Sequence, residues 1–94
     1  MFVLNVDLQV KPGAEQNLEK TYVETFRPAI SRQEGFLSVN LLRPRDEAKD
    51  YILSIVFEDR TRQQKWVATE LHQKVWSQIE ALCAGYGVKS YDAV

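Results

Sequence analysis

Apolar and polar residues alternate over the first ten positions of the chain. Phe2, Leu4, Val6, Leu8 and Val10 fall on one side, and Val3, Asn5, Asp7 and Gln9 on the other. A period of two predicts a strand with one apolar face. Lys11-Pro12-Gly13 ends it. From 14 to 34 the period lengthens. Leu18, Tyr22, Phe26, Ala29 and Ile30 form an apolar stripe of helical spacing. Pro28 sits inside this stripe, lacks an N–H and crowds the carbonyl of Glu24, which predicts a kink there. Gly35 is placed to close the helix as its C′ residue.

Two runs rich in β-branched and aromatic residues follow, 36–43 and 51–58, joined by a charged hairpin loop over 43–50. Asp59 then reads as an N-cap. The helical region behind it is interrupted. One segment runs over 60–68, Thr69 offers a second N-cap, and 70–84 carries Leu71, Val75, Ile79 and Leu82 as its stripe. Gly85 and Gly87 are expected to end that helix, and 88–94 to form a last strand.

The order β-α-β-β-α-β predicts an α+β, ferredoxin-like domain over residues 1–94: a four-stranded antiparallel sheet with both helices on one face. The other face mixes Val and Leu with Asn, Asp and Ser. Covering it sheet-to-sheet with a second copy predicts a homodimer.

Charge narrows the partners. Twelve basic and thirteen acidic residues leave a net charge of −1. No basic excess is available to displace counterions from a phosphate backbone, so no nucleic-acid partner is expected. No apolar run approaches the ~18 residues needed to span a bilayer, and the N-terminus lacks the basic start of a signal peptide. A single cysteine, Cys83, suits a reducing cytoplasm and reads as a buried helical residue. No glycine-rich phosphate loop, zinc-spaced Cys/His cluster or nucleophilic triad is legible, so no metal is expected.

The chemistry-bearing stretch is Trp66 to Trp76. His72 and Trp76 are four apart and share a helix face, and Trp66 lies at the interruption. Two indoles and the chain's one imidazole could wall a pocket for a flat aromatic ligand, with His72 as proton acceptor or as an orienting hydrogen bonder. Taken singly, each of these residues is as well explained by packing. Asn5, Asn40 and Tyr51 are candidate hydrogen bonders to substrate, along with Asp7, Ser54 and Tyr91; the polar strand residues could equally line a wet sheet face. Arg43 and Arg45 flank Pro44 in a solvated loop that could attract an anion.

Val10-Lys-Pro-Gly13, Phe26-Arg-Pro-Ala29, Glu34-Gly-Phe-Leu-Ser-Val39, Phe57-Glu-Asp59 and Thr69-Glu-Leu-His72, taken in order, resemble the antibiotic biosynthesis monooxygenase family. The resemblance covers essentially the whole chain. It implies a dimeric α+β barrel and a cofactor-independent monooxygenase that oxidises a small aromatic, anthrone or quinol-like substrate with O2. Trp66 and His72 would be catalytic, and Trp76, Asn5, Asn40 and Tyr51 substrate-binding. Heme-degrading members of the family offer a second reading. Trp66 matches their Trp, whereas Val6 stands where they have Asn and Trp76 where they have the ligating His. Arg62 and Gln63 stand where the family often has Ala-Phe, which predicts a more polar pocket lip. A non-catalytic barrel that binds a small molecule is the third reading.

Overall fold

The computed structural model describes residues 1–46 and 49–94. Strand β1 (Phe2–Val10) realises the initial alternation: Phe2, Val6 and Leu8 are buried on one side. It is the hub of the sheet. β3 (Tyr51–Phe57) pairs with one edge of β1 and β4 (Cys83–Asp92) with the other, and β2 (Phe36–Leu42) flanks β3. The order is β2-β3-β1-β4, with every neighbouring pair antiparallel. Residues 47 and 48 of the expected hairpin loop lie outside the described residues.

The first helical region departs from expectation in an instructive way. It runs as α1 (Glu15–Thr21), a π turn (Tyr22–Phe26) and a short α2 (Arg27–Ile30). Leu18, Tyr22, Phe26 and Ile30 are all buried. They are spaced by four throughout, and in an α-helix of 3.6 residues per turn such a row slews off the sheet. Widening one turn to i→i+5 bonding keeps the row on target, and the Arg27 N–H bonds the Tyr22 carbonyl accordingly. The irregularity thus precedes Pro28 and takes the form of a wide turn. The helix also stops earlier than 34. Ser31 is its C-cap, and Gly35 lies beyond it, in the turn that leads into β2.

Gly35 is nevertheless required there. Its φ of +80° is left-handed, and a Cβ would sit 2.1 Å from Cδ of Arg62. Its carbonyl accepts the Glu58 N–H at 2.8 Å. Gly35→Ala is therefore expected to lower stability by about 1–3 kcal/mol, read as a reduced urea midpoint at unchanged m-value. An unchanged midpoint would show that this turn tolerates a side chain.

Both expected caps form. The Asp59 carboxylate accepts the Arg62 N–H at 2.8 Å and opens α3 (Arg60–Val67). The Thr69 hydroxyl accepts the His72 N–H at 3.1 Å and opens α4 (Glu70–Glu80). The expected apolar stripe of this region differs only at its head, Leu82 also packing against the core. Val75 and Ile79 are buried, but Leu71 is 41% exposed, and His72 takes the inward place at the head of the row. His72, Val75, Trp76 and Ile79 follow i, i+3, i+4, i+7.

Gly85 and Gly87 do not end α4. They lie within β4, opposite Gln9 and Asp7 of β1. Pairing to the hub strand overrides their weak preference for extended structure. Gly85 has a local reason as well, since a Cβ there would press on Oε1 of Gln9 at 2.8 Å. Cys83 is buried as expected, but as the first residue of β4 and not in a helix.

Candidate functional site

Between the sheet and the second helical region lies a cavity of about 170 Å³. Leu4 and Val6 of β1 with Leu53 and Ile55 of β3 make its floor. Register makes this floor: Leu4 pairs with Ile55 and Val6 with Leu53, so four aliphatic side chains meet on the helix side. Phe26 of the π turn, α3 and α4 roof it, and Tyr86 and Val88 of β4 form the lip.

The walls are two edge-to-face aromatic pairs. Trp66 and His72 have ring centroids 5.1 Å apart and are nearly perpendicular at 89°. Trp76 and Tyr86 are 5.1 Å apart at 84°. Phe26 supports the first pair, its ring lying 6.3 Å from Trp66. One hydroxyl joins the two helices at this point. Thr69 donates to the Trp66 carbonyl at 2.8 Å and accepts the His72 N–H at 3.1 Å. The helix break therefore sets the spacing of indole and imidazole.

His72 is half-buried, and its Nδ1 is sealed from solvent with no hydrogen-bond partner. Burial pushes its pKa below the usual 6.5, so the ring is neutral at pH 7. The group's effect on folding has a definite sign. The unfolded chain takes up the proton more readily, so stability is full above pH 6.5 and weakens as the pH falls through 6.5 toward the folded value.

Trp66, His72 and Trp76 thus come together, and His72 and Trp76 lie on the cavity side of α4. Asn5, Asn40 and Tyr51 do not join them. Asn5 and Asn40 both pair with Ser54 across β3 and occupy the open face of the sheet, with Asn5 Oδ1 accepting the Ser54 hydroxyl at 2.7 Å. The period of two turns them away from the cavity whatever their chemistry. Tyr51 is on the helix side but at the wrong end, opposite Leu8. Its phenol donates to Glu19 Oε2 at 2.5 Å, and Arg43 binds the same carboxylate through two bonds of 2.8 and 2.5 Å. The Arg43 bonds first, and the Tyr51 bond second, hold Glu19 far below its usual 4.5, at about 2. Arg43 is therefore tied to Glu19 and is not a free anion attractor.

The structure adds residues that the pattern did not single out. Tyr86 stands between two glycines that read as helix breakers, which hid it. Phe26 reads as ordinary stripe until the π turn places it. Gln63 was legible as a polar departure, but it is buried in the cavity wall, while Arg62 beside it turns outward to Glu34, Glu58 and Asp59. Among the described residues no group of three or more His, Cys, Asp or Glu could hold a metal ion, and no helix is long and apolar enough to cross a membrane.

A βαββαβ sheet with an aromatic-walled cavity beneath its second helical layer is an α+β domain of ferredoxin-like plan. The chain belongs to the antibiotic biosynthesis monooxygenase family, whose model matches residues 1–77. Solved structures share the fold. SnoaB of Streptomyces nogalater, described as a cofactor-independent oxygenase and solved as an asparagine-to-alanine mutant, superposes with a TM-score of 0.87 at 23% identity, over 98% of this chain and 91% of that one. A protein of Nitrosomonas europaea superposes with a TM-score of 0.85 at 16% identity, over 100% and 99%. An arginine-to-serine mutant of MhuD, with two manganese protoporphyrin IX bound per active site, superposes with a TM-score of 0.82 at 24% identity, over 100% and 95%. No curated protein matches this chain.

The residues of this cavity do not fit a heme. Its volume of about 170 Å³ is near half the lower end of the roughly 300–1,000 Å³ typical of pockets for drug-sized ligands. Trp76 fills the place one turn beyond His72, and the imidazole is packed edge-to-face with Trp66.

Proposed function

We propose that this protein is a cofactor-independent monooxygenase that oxidises a small, flat, enolisable arene, such as a quinol or anthrone, with O2. One observation carries the reading: a neutral, half-buried imidazole stands in the wall of an aromatic cavity, with Nδ1 sealed and Nε2 as the nitrogen left open to a ligand. Such a group is costly to the fold and useful to a reaction that begins with proton removal.

For an anthrone the chemistry balances as CH2 plus O2 giving C=O plus H2O. Nε2 of His72 accepts the proton of the acidic C–H, and the resulting enolate passes one electron to O2. The organic radical and superoxide combine to form a C–O bond, the imidazolium returns the proton to the peroxide, and loss of water leaves the ketone. All four electrons come from the substrate. Trp66 and Trp76 hold the ring plane, and the aliphatic floor keeps water from the carbanion. An engineered cavity of ~150 Å³ takes one benzene ring. A cavity of about 170 Å³ therefore takes the reacting ring, with any further ring lying in the mouth against Tyr86.

O2 uptake with a panel of quinols and anthrones tests this. Turnover is expected, and the acid limb of kcat/KM is expected below pH 6.5, since burial lowers the His72 pKa. No uptake across the panel would refute the proposal, and a limb well above 6.5 would remove His72 from the role of base.

The same reading includes a homodimer in the cytosol, where Cys83 stays reduced. Val3, Ile52, Val56 and Leu42 lie on the open face around the polar row of Asn5, Ser54 and Asn40. A second copy would cover them. Light scattering is expected to give twice the 10.9 kDa of the chain; a monomer at micromolar concentration would overturn it.

A further inference from the structure

Among the described residues, Gln63 is the one polar side chain in the buried core, 8% exposed. It lines the cavity, and its carboxamide has no hydrogen-bond partner among the described residues. Its neighbour on α3 faces the other way. Arg62, the preceding residue, lies across Gly35 and is held by the carboxylates of Asp59, Glu34 and Glu58. Asp59 also caps the helix through the Arg62 N–H. Arg62 turns outward, and Gln63 and Trp66, three apart, share the inward face.

Gln63 brings a carboxamide into a largely apolar wall, and its amide atoms, unlike Nδ1 of His72, are not sealed from a ligand. We propose that Gln63 is the specificity-determining residue of the site. Its N–H donates to a ring oxygen of the substrate, so that oxygenated arenes are bound in preference to hydrocarbons of the same shape. A pocket with a buried hydrogen-bonding group rejects the ligand that leaves it unpaired, whereas an all-apolar pocket discriminates weakly. The proposal rests on the oxygenase reading for what becomes of the ligand, but the selection itself is a property of binding.

Binding of 1,4-naphthoquinone and of naphthalene, measured by equilibrium dialysis, separates the two ring chemistries at nearly equal shape. The parent protein is expected to favour the quinone by about tenfold to a hundredfold. In Gln63→Met, which keeps the length and removes the hydrogen bond, the preference is expected to fall to near unity, with naphthalene bound at least as tightly. Gln63→Leu serves as the second variant, with near-UV circular dichroism of the tryptophans to confirm folding. A parent preference near unity, or a preference that survives in either folded variant, overturns the assignment. O2 uptake by the parent is scored separately. A strong preference with no uptake removes the oxygenase reading and leaves Gln63 as selector; uptake with no preference does the reverse.

Discussion

His72→Leu is expected to lower kcat/KM for O2 uptake by about a hundredfold to ten-thousandfold, the usual contribution of a positioned general base. The same substitution is expected to leave the fold as stable as the parent, or more stable by about 1 kcal/mol. Two terms set that sign. The edge-to-face contact with Trp66 is lost, worth about 0.5–1.5 kcal/mol. Against it, the sealed Nδ1 disappears, and an unsatisfied buried polar atom costs about 1–3 kcal/mol. Leucine also keeps the inward place at the head of the α4 stripe filled. Activity lost without stability lost is what a residue retained for function gives. A variant that unfolds easily yet turns over at the parent rate would identify His72 as a packing residue. Urea denaturation beside oxygen-electrode assays reads both quantities.

Trp66→Ala is expected to do the opposite to stability, lowering it by about 3–5 kcal/mol. The indole is 2% exposed and lies between Phe26 and His72. Removing it enlarges the cavity, and the floor of sheet residues cannot collapse to fill the space. Domains are stable by only about 5–15 kcal/mol in total, so this one change takes a large share. Activity is expected to fall with it, because the wall against which the substrate stacks is gone. A loss below about 1.5 kcal/mol, the range of ordinary substitutions, would mean that the site relaxes around the missing ring. Trp66→Phe, which keeps an aromatic face, is expected to fall between the parent and the alanine variant on both measures.

Much of this site is legible in the amino-acid order. Asp59 and Thr69 read as caps because a short side-chain oxygen ahead of a helical stripe can satisfy otherwise orphaned N–H groups, and both do so. The break between them, legible from Thr69 alone, sets Trp66 against His72. Asn5 shows the limit of reading by residue type. Its chemistry suits a substrate, but the alternation places it on the face opposite to that of Val6 and Leu8. Tyr51 shows a different limit: its face is right, but its distance from the indoles depends on how β3 registers with β1. Tyr86 escapes the pattern because glycine preference is local, whereas the pairing that places Gly85, Tyr86 and Gly87 in β4 is made with residues almost eighty positions away.

The sequence alone determined the order of strands and helical regions, the two helix caps and the face β1 turns inward, because periodicity, capping and turn chemistry act within a few residues. Only the tertiary structure decided which inward residues meet around one cavity. That choice depends on strand register and on the wide turn that aims Phe26. These are long-range contacts, and no local pattern along the chain encodes their geometry.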